Sequence, residues 1–333
     1  MREDFQFKPV KVTVDTAGRI FLVNQGTVEG LVCISPEGKF DGFVGANRVE
    51  TTPWELFWKT FSTKAQREQL IQFVPVEMSN VSIDPDGFLY ATAKGDDKNQ
   101  MIRKFNLNGI DILRTTNNNV PRGDISEIIQ QTLDKQSSFF VDVAVYGYGI
   151  FTCLDSVRGH IFTYTDTGNL LFASGGQTAQ NGSFSNVAAA EWMGDSLLVL
   201  DRKFNELTKL DLTDYGSSIV GAIKAQYLGD YDDASKKWEE VLKYNLNNEL
   251  AYSGVGRALL KEGKYKEAME YARLGDDREL YSKAFEFDRR TIVANIVPWV
   301  LGAFAILAVV MVVKSIVKGI MRYRDKLEGR TIE

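Results

Sequence analysis

The chain has 333 residues, 44% of them hydrophobic and 25% charged, which is enough for two or three domains with real cores. Its 39 basic residues are mixed among 44 acidic ones, for a net charge of −5. This balance excludes a long basic face for phosphates, so we expect no nucleic-acid partner.

The first 216 residues repeat one pattern four times: an apolar strand, an acidic or glycine turn, and a second apolar strand. The copies are VTVDTAGRIFLV (12–23), VSIDPDGFLYAT (81–92), VDVAVYGYGIFTCLD (141–155) and AAAEWMGDSLLVLD (188–201). Gly18 and Gly87 fit hairpin turns because glycine readily adopts positive φ. Each copy precedes a further strand and a second glycine turn, so one unit holds about four short antiparallel strands.

Such units bury their sheet faces only by stacking on one another, which predicts the blades of a β-propeller. The copies resemble NHL repeats, with LDSVRGHIFTYTDTGNL at 154–170 the nearest match, and the resemblance covers residues 11–216. It implies a six-bladed ring, of which residues 1–216 supply about four blades. The N-terminal MREDFQFKPVKV also lacks the apolar region of a secretory signal. A single N-terminal truncation would explain both the missing blades and the missing signal, and the chain is then either a shortened gene product or a fragment.

Two helical insertions are predicted within the blades, at 49–78 and 115–138. In the first, Trp54, Phe57, Trp58 and Phe61 follow the helical spacing i, i+3, i+4 and i+7. Packing across a blade edge is the favoured interpretation. Binding of a partner or a membrane surface through Trp54 and Trp58 is the alternative. The second insertion is a polar loop followed by a predicted helix from Ile125.

Helical periodicity replaces strand periodicity after Gly216, and a 34-residue repeat begins. Gly229, Tyr231 and Ala234 recur as Gly263, Tyr265 and Ala268. The pattern resembles the tetratricopeptide repeat and predicts a helical pair over 217–290, ending in a capping helix at 278–290. The resemblance implies a concave docking face, for which Tyr252 and Arg257 are the candidate binding residues. Packing or solvation is the favoured alternative for both.

One uncharged stretch begins at Ile292 and ends at Val313, and as a helix it extends for about 33 Å, enough to cross a bilayer. A transmembrane helix is predicted over 291–314, with a basic tail over 315–333. The excess of basic residues after the stretch favours a single-pass cell-membrane protein with a cytoplasmic C-terminus and an extracytoplasmic bulk. A tail-anchored protein with a cytosolic bulk is the alternative.

No catalytic centre, metal site or cofactor is predicted. His160 is the only histidine, and Cys33 and Cys153 lie in separate apolar runs, as buried structural thiols do. Carboxylates recur at repeat positions, which indicates turn formation. These carboxylates are Asp84, Asp86, Asp142, Asp155 and Asp201.

These features predict a membrane-anchored scaffold without catalysis, accessory to membrane transport or envelope assembly. Its expected partners are a protein or a glycan, together with the bilayer. The alternative is a metal-dependent hydrolase similar to the lactonase propellers, whose resemblance implies a divalent metal held by Glu, Asn and Asp from different blades. The sequence nominates no such set of ligands.

Overall fold

The computed structural model describes residues 6–45, 77–94, 101–113, 121–124, 137–177 and 182–328, with the side chains of Lys94 and of 325–328 excepted. The chain divides into two compact units, Met1–Val220 and Gly221–Glu333. The predicted insertion at 49–78 lies outside the described residues except for its last two, which begin a strand. Of the insertion at 115–138, residues 121–124 and 137–138 are described, and they are irregular.

The described residues of the first unit form four antiparallel sheets, each built from strands consecutive in sequence. The first sheet contains β1 (Pro9–Val14), β2 (Ile20–Asn24), β3 (Leu31–Ile34) and β4 (Phe40–Val44). The second contains β5 (Glu77–Ile83), β6 (Leu89–Lys94) and β7 (Ile102–Phe105). The third contains β8 (Phe140–Gly147), β9 (Ile150–Asp155), β10 (His160–Thr165) and β11 (Leu170–Gly175). The fourth contains β12 (Val187–Met193), β13 (Ser196–Asp201) and β14 (Glu206–Asp211).

Each predicted hairpin is present, and its turn has the expected chemistry. Gly18 and Gly87 have φ values of 81° and 85°, the left-handed region that favours glycine. In the second sheet, Asp84 accepts the Phe88 N–H at 2.8 Å through Oδ1, which fixes the turn between β5 and β6. The sequence alternation and the turn residues therefore select the same local structure.

Among the residues that the structure describes, three apolar clusters lie between successive sheets. The first and second sheets meet around Phe21, Leu31 and Phe105. The second and third meet around Tyr90 and Phe151, whose ring centroids are 5.1 Å apart. The third and fourth meet around Leu154, Phe184 and Val199. Sheets packed face to face in sequence order give this unit a propeller-like architecture.

The two terminal sheets each have one apolar face that no described residue covers. On β1, Val10, Val12 and Val14 are 53%, 62% and 52% exposed. In the fourth sheet, Leu200 and Leu207 are 40% and 63% exposed, although Val199, on the opposite face of β13, is fully buried. We call these surfaces the open faces, and the four described sheets leave both of them uncovered.

Five helices follow the sheets: α1 (Asp214–Tyr227), α2 (Tyr231–Tyr244), α3 (Glu249–Lys261), α4 (Tyr265–Leu274) and α5 (Arg278–Glu328). Helices α2 and α4 begin 34 residues apart, each after a glycine with positive φ, Gly229 at 82° and Gly263 at 79°. Asn248 caps α3 by accepting the Ala251 N–H at 2.9 Å.

Small residues allow the helices of the second unit to approach closely. A Cβ added to Gly254 on α3 would lie 2.2 Å from Trp238 Nε1 on α2. A Cβ on Gly256 would lie 2.9 Å from a methyl carbon of Leu280 on α5. Glycine is therefore required at both positions for the observed packing.

Helix α5 is 51 residues long and has two different parts. Its first turns pack on the preceding helices through Leu280 and Ala284, which are buried. The later turns are exposed and contain the apolar stretch with Pro298 inside the helix. This helix is long and apolar enough to cross a membrane.

Candidate functional site

A cleft of about 450 Å³ is lined by strands from all four sheets. Strands β1, β5, β8 and β12 each form one edge of their own sheet, and all four contribute residues to the cleft. The polar lining residues include Lys11, Asn80, Asp142 and Glu191, one from each sheet. Side chains that are far apart in sequence therefore converge on one site, which we call the axial cleft.

A β-bulge precedes the cleft in every one of these strands. The pairing register shifts immediately before Lys11 in β1, Asn80 in β5, Asp142 in β8 and Ala189 in β12. A bulge re-aims the side chain that follows it and is common beside functional sites. These four residues therefore occupy equivalent positions, and the fourth sheet has alanine where the others have a polar residue.

Asp142 lies at the centre of the polar lining residues Lys11, Asn80, Asp142 and Glu191, which we call the polar floor. Its Oδ2 accepts the Ala190 N–H at 2.8 Å, and its Oδ1 accepts the Val143 N–H at 3.0 Å. Asn80 Nδ2 also donates to Oδ1, and Lys11 Nζ lies 3.6 Å from the same oxygen. One carboxylate thus connects groups from all four sheets.

The amide of Asn80 is held in a single orientation. Its Oδ1 accepts the Val81 N–H, and its Nδ2 donates to the Val141 carbonyl at 3.2 Å as well as to Asp142. Both ends of the amide therefore have partners of the correct polarity. The amide oxygen of Asn80 therefore already has the Val81 N–H as its hydrogen-bond donor.

Both acids that line the cleft, Asp142 and Glu191, have a raised pKa. Burial raises the pKa of Asp142, although the nearby Lys11 ammonium and the N–H donors oppose the rise. Partial desolvation also raises the pKa of Glu191, although the residue stays exposed. The neighbouring Asp142 carboxylate adds to the rise, and the Trp192 N–H and Lys11 oppose it. Both shifts follow from removing a carboxylate from water, which disfavours its charged form.

One wall of the axial cleft is apolar. Val12 from the first sheet and Leu198, Leu200 and Leu207 from the fourth contribute to it. Because Val12, Leu200 and Leu207 also belong to the open faces, the cleft continues onto apolar surface. The site therefore combines a polar floor with an apolar wall, an arrangement typical of ligand-binding clefts.

A second group of candidate ligands surrounds His160. One ligand atom from each of Asp124, Asp155 and His160 lies within 4.8 Å of the others, and His160 Nδ1 is 2.7 Å from Asp124 Oδ2. Asp155, however, already accepts the Phe139 N–H and the Ser138 hydroxyl, both at 2.9 Å. These donors give the Asp155 carboxylate a structural role, which does not favour metal binding.

Most of the recurring aspartates form turns, but Asp142 does not. Asp155 Oδ1 accepts the Val157 N–H at 2.9 Å, and Asp201 Oδ1 accepts the Lys203 N–H at 2.8 Å. Asp142 lies inside β8 and joins different sheets. The prediction of a turn role was therefore wrong for this residue, because a position within the repeat does not reveal the long-range partners of a side chain.

Tyr252 and Arg257 both lie on α3 and both contact neighbouring residues. The Tyr252 and Tyr271 ring centroids are 6.1 Å apart, and Arg257 Nη2 is 3.1 Å from Asp277 Oδ2. Their docking role stays a prediction. Trp54 and Trp58 lie outside the described residues.

Lys11, Asn80 and Glu191 were not predicted as site residues from the sequence. For Lys11 the available signal was a charged residue among the valines of PVKVTV. Asn80 had no such signal, because EMSNVSI contains other polar residues. That Lys11 and Asn80 occupy the same position in their sheets becomes clear only once the β-bulge before each residue is known.

Cys33 and Cys153 are both buried and unpaired, as predicted. Burial raises the pKa of the Cys153 thiol well above its usual value, and it also raises that of Cys33. Both thiols therefore resist ionisation, which is typical of structural cysteines.

No protein-family model matches the chain, and comparison with curated proteins finds no significant match. Among solved structures, the computationally designed Ika4 protein is 10% identical, with a TM-score of 0.36, covering 63% of this chain and 95% of that protein. A chain of the nidogen/laminin complex is 10% identical, with a TM-score of 0.31, covering 61% and 76%. A putative 6-phosphogluconolactonase from Bacteroides uniformis is 12% identical, with a TM-score of 0.30, covering 60% and 55%. At these TM-scores the similarities carry no functional argument.

Proposed function

We propose that the chain is a membrane-anchored binding module without catalysis, whose principal ligand site is the axial cleft. The observation that supports this proposal best is that both oxygens of Asp142 accept structural hydrogen bonds, and that groups from all four sheets contact the carboxylate. A general base needs a lone pair that can reach its substrate. A carboxylate whose two oxygens both accept structural hydrogen bonds instead stabilises the cleft that it lines.

The chemistry of the cleft favours a protein segment as the ligand. Lys11 and Glu191 offer a charged donor and an acceptor, and Leu198, Leu200 and Leu207 offer apolar contact. A peptide with one polar and one apolar side matches this combination. A glycan is the second option, because sugar hydroxyl groups could pair with the same polar residues.

The second unit supports the scaffold role. We propose that α1–α4 form a tetratricopeptide pair, with the 34-residue offset and the two positive-φ glycines as its structural basis. In that arrangement, Tyr252 and Arg257 contribute to a docking face. The blades correspond to the NHL type in the same proposal.

Helix α5 anchors both units in the cell membrane in this proposal, with the bulk outside the cytoplasm and the C-terminus inside. Protease treatment of intact cells tests the orientation, because a protease specific for lysine should cleave at Lys236 or Lys243, which are exposed on α2. Cleavage only after lysis would contradict it and would support a cytosolic bulk.

Capture from native membranes tests the binding function. Full-length chain should recover a stoichiometric partner, and Glu191→Gln together with Lys11→Gln should reduce the recovery by at least tenfold if both residues bind the ligand. Lys39→Gln is the matched control, since Lys39 lies in the exposed turn between β3 and β4. Equal recovery by all three proteins would reject the axial cleft as the docking site.

A metal-dependent hydrolase is the second candidate, because Asn80, Asp142 and Glu191 bring an amide and two carboxylates from three sheets to one cleft. Oxygen ligands of this kind suit a divalent cation such as Ca²⁺. The orientation of the Asn80 amide opposes the idea, since its oxygen already accepts the Val81 N–H.

Calorimetry with Ca²⁺ and an assay with sugar lactones distinguish the two functions. The hydrolase requires calcium binding that Glu191→Gln weakens, together with lactone turnover that a chelator abolishes. Absence of binding at millimolar calcium would eliminate this candidate and leave the binding module.

A further inference from the structure

We propose that Lys314, Lys318 and Arg322 form a basic stripe on α5 that binds the phosphate groups of anionic membrane lipids. This inference rests on the proposed anchoring of α5 in a bilayer. A hydrophobic anchor needs only the hydrocarbon core of a bilayer, whereas the basic stripe would also bind the headgroups of anionic phospholipids.

Helical geometry places the three cations together. At i, i+4 and i+8 they fall within an arc of about 80° and extend about 12 Å along the helix. All three side chains are exposed. Ile316, Ile320 and Tyr323 occupy the opposite side and are 56%, 63% and 69% exposed. The helix is therefore amphipathic immediately after its apolar stretch.

The stripe has no counter-charge among the described residues. No described carboxylate lies within ion-pair distance of Lys314, Lys318 or Arg322. Residues 314–324 contain four basic and no acidic side chains, a net charge of +4. Lys314, Lys318 and Arg322 are therefore available to external anions.

The other flank of the apolar stretch differs. There, Lys283 pairs with Glu279 at 2.5 Å, and Arg290 pairs with Glu286 at 2.6 Å. Residues 278–290 contain four basic and three acidic side chains, a net charge of only +1. We therefore expect anionic lipids to collect around the C-terminal flank and not around the N-terminal one.

The position of the stripe selects lipid over other polyanions. Helix α5 continues without a break past Val313, so the three cations lie within about 14 Å of the end of the apolar stretch. Headgroups occupy roughly 5–8 Å beyond each side of the hydrocarbon core, and charge attraction extends about a Debye length of 8–10 Å further. Lipid phosphates are thus the anions nearest to the stripe.

Electron spin resonance of the full-length chain in vesicles tests the proposal. The vesicles contain equal parts of phosphatidylcholine and phosphatidylglycerol, with a trace of either lipid carrying a spin label. Labelled lipid that contacts the protein is immobilised, and this immobilised fraction should be several-fold larger for phosphatidylglycerol than for phosphatidylcholine. Each cation should contribute a factor of at most about five. Lys314→Gln, Lys318→Gln and Arg322→Gln together should abolish the preference, and molar salt should do the same to the wild type.

The matched control changes the paired flank through Lys283→Gln, Arg289→Gln and Arg290→Gln, and it should keep the preference. Equal selectivity of wild type and stripe variant would overturn the proposal, as would an equal loss in the control. Flotation with vesicles of phosphatidylcholine alone tests the anchor separately. If the chain does not float, the proposal of a membrane anchor is rejected. If it floats but shows no lipid preference in the spin-resonance experiment, only the proposal of a lipid-binding stripe is rejected.

Discussion

Lys11 Nζ lies 3.6 Å from Asp142 Oδ1, so an ion pair joins the first sheet to the third across the axial cleft. The same carboxylate accepts hydrogen bonds from Asn80 of the second sheet and from Ala190 of the fourth. Because this contact is long-range, its removal should weaken the packing of the whole propeller-like unit.

Asp142→Asn should therefore destabilise the first unit by about 1–3 kcal/mol, since it places an amide donor among the N–H groups from which the carboxylate accepts. Urea unfolding of detergent-solubilised chain, followed by the circular dichroism of the sheets, measures the change. Asp211→Asn is the control, because its pair with Lys209 is exposed, and it should leave the midpoint unchanged. A similarly small effect at Asp142 would show that the connection between sheets contributes no stability.

The acids Asp142 and Asp201 should respond to pH with opposite signs. Burial raises the pKa of Asp142, so the folded state binds its proton more tightly than the unfolded state does. Burial also tends to raise the pKa of Asp201, but four backbone N–H groups, including those of Ser185 and Asn186, lower it below its usual value. The contribution of Asp142 to the free energy of unfolding therefore falls as pH rises above the usual pKa range of aspartate. The contribution of Asp201 falls as pH drops below that range.

Comparing Asp142→Asn and Asp201→Asn with wild type over a pH series isolates these contributions. The stability difference between wild type and Asp142→Asn should be largest in acid and should shrink as pH rises. For Asp201→Asn the difference should be largest near neutral pH and should shrink in acid. Slopes of the same sign would contradict the two environments described for these carboxylates.

The repeated hairpins were predictable because their causes are local. Alternating apolar residues and a glycine such as Gly18 or Gly87 specify two strands and a turn within about twelve residues. The polar floor was not predictable, because Lys11, Asn80 and Asp142 meet only after successive sheets pack and bulges re-aim each strand. Partners separated by more than 60 residues leave no spacing signal in a single sequence.

Gly254 should tolerate no side chain. A Cβ at this position would lie 2.2 Å from Trp238 Nε1, and Trp238 is itself buried. Gly254→Ala should therefore destabilise the second unit by about 1–3 kcal/mol through overpacking. Thermal unfolding followed by helical circular dichroism measures the effect.

Gly221→Ala is the matched control, because its nearest neighbour is the flexible chain of Lys237. It should be neutral or stabilise helix α1 by up to about 1 kcal/mol. Equal destabilisation by both changes would show that the close approach of α2 and α3 is not the cause.

Arg257 and Asp277 should differ in their importance for folding. Asp277 accepts the Leu280 N–H at 2.9 Å and so caps α5, and Arg257 contacts the same carboxylate from a partly exposed position. Asp277→Ala should cost about 1–2 kcal/mol, whereas Arg257→Ala should cost less than about 1 kcal/mol.

The well-folded Arg257→Ala protein then provides a test of the predicted docking face. Partner capture should fall if Arg257 binds the partner, even though the unfolding temperature is nearly unchanged. Unchanged capture would assign Arg257 to the capping interaction alone.

The open faces should accept charge without loss of stability. Leu200 and Val199 are neighbours on β13 but lie on opposite faces, the first 40% exposed and the second fully buried. Leu200→Lys should change the free energy of unfolding by less than about 0.5 kcal/mol, whereas Val199→Lys should cost more than about 4 kcal/mol. Val12→Lys on the other open face should behave like Leu200→Lys, because Val12 is 62% exposed. Urea midpoints of the three variants provide the comparison. A large loss at both Leu200 and Val12 would show that another part of the protein, or a second chain, covers these faces in solution.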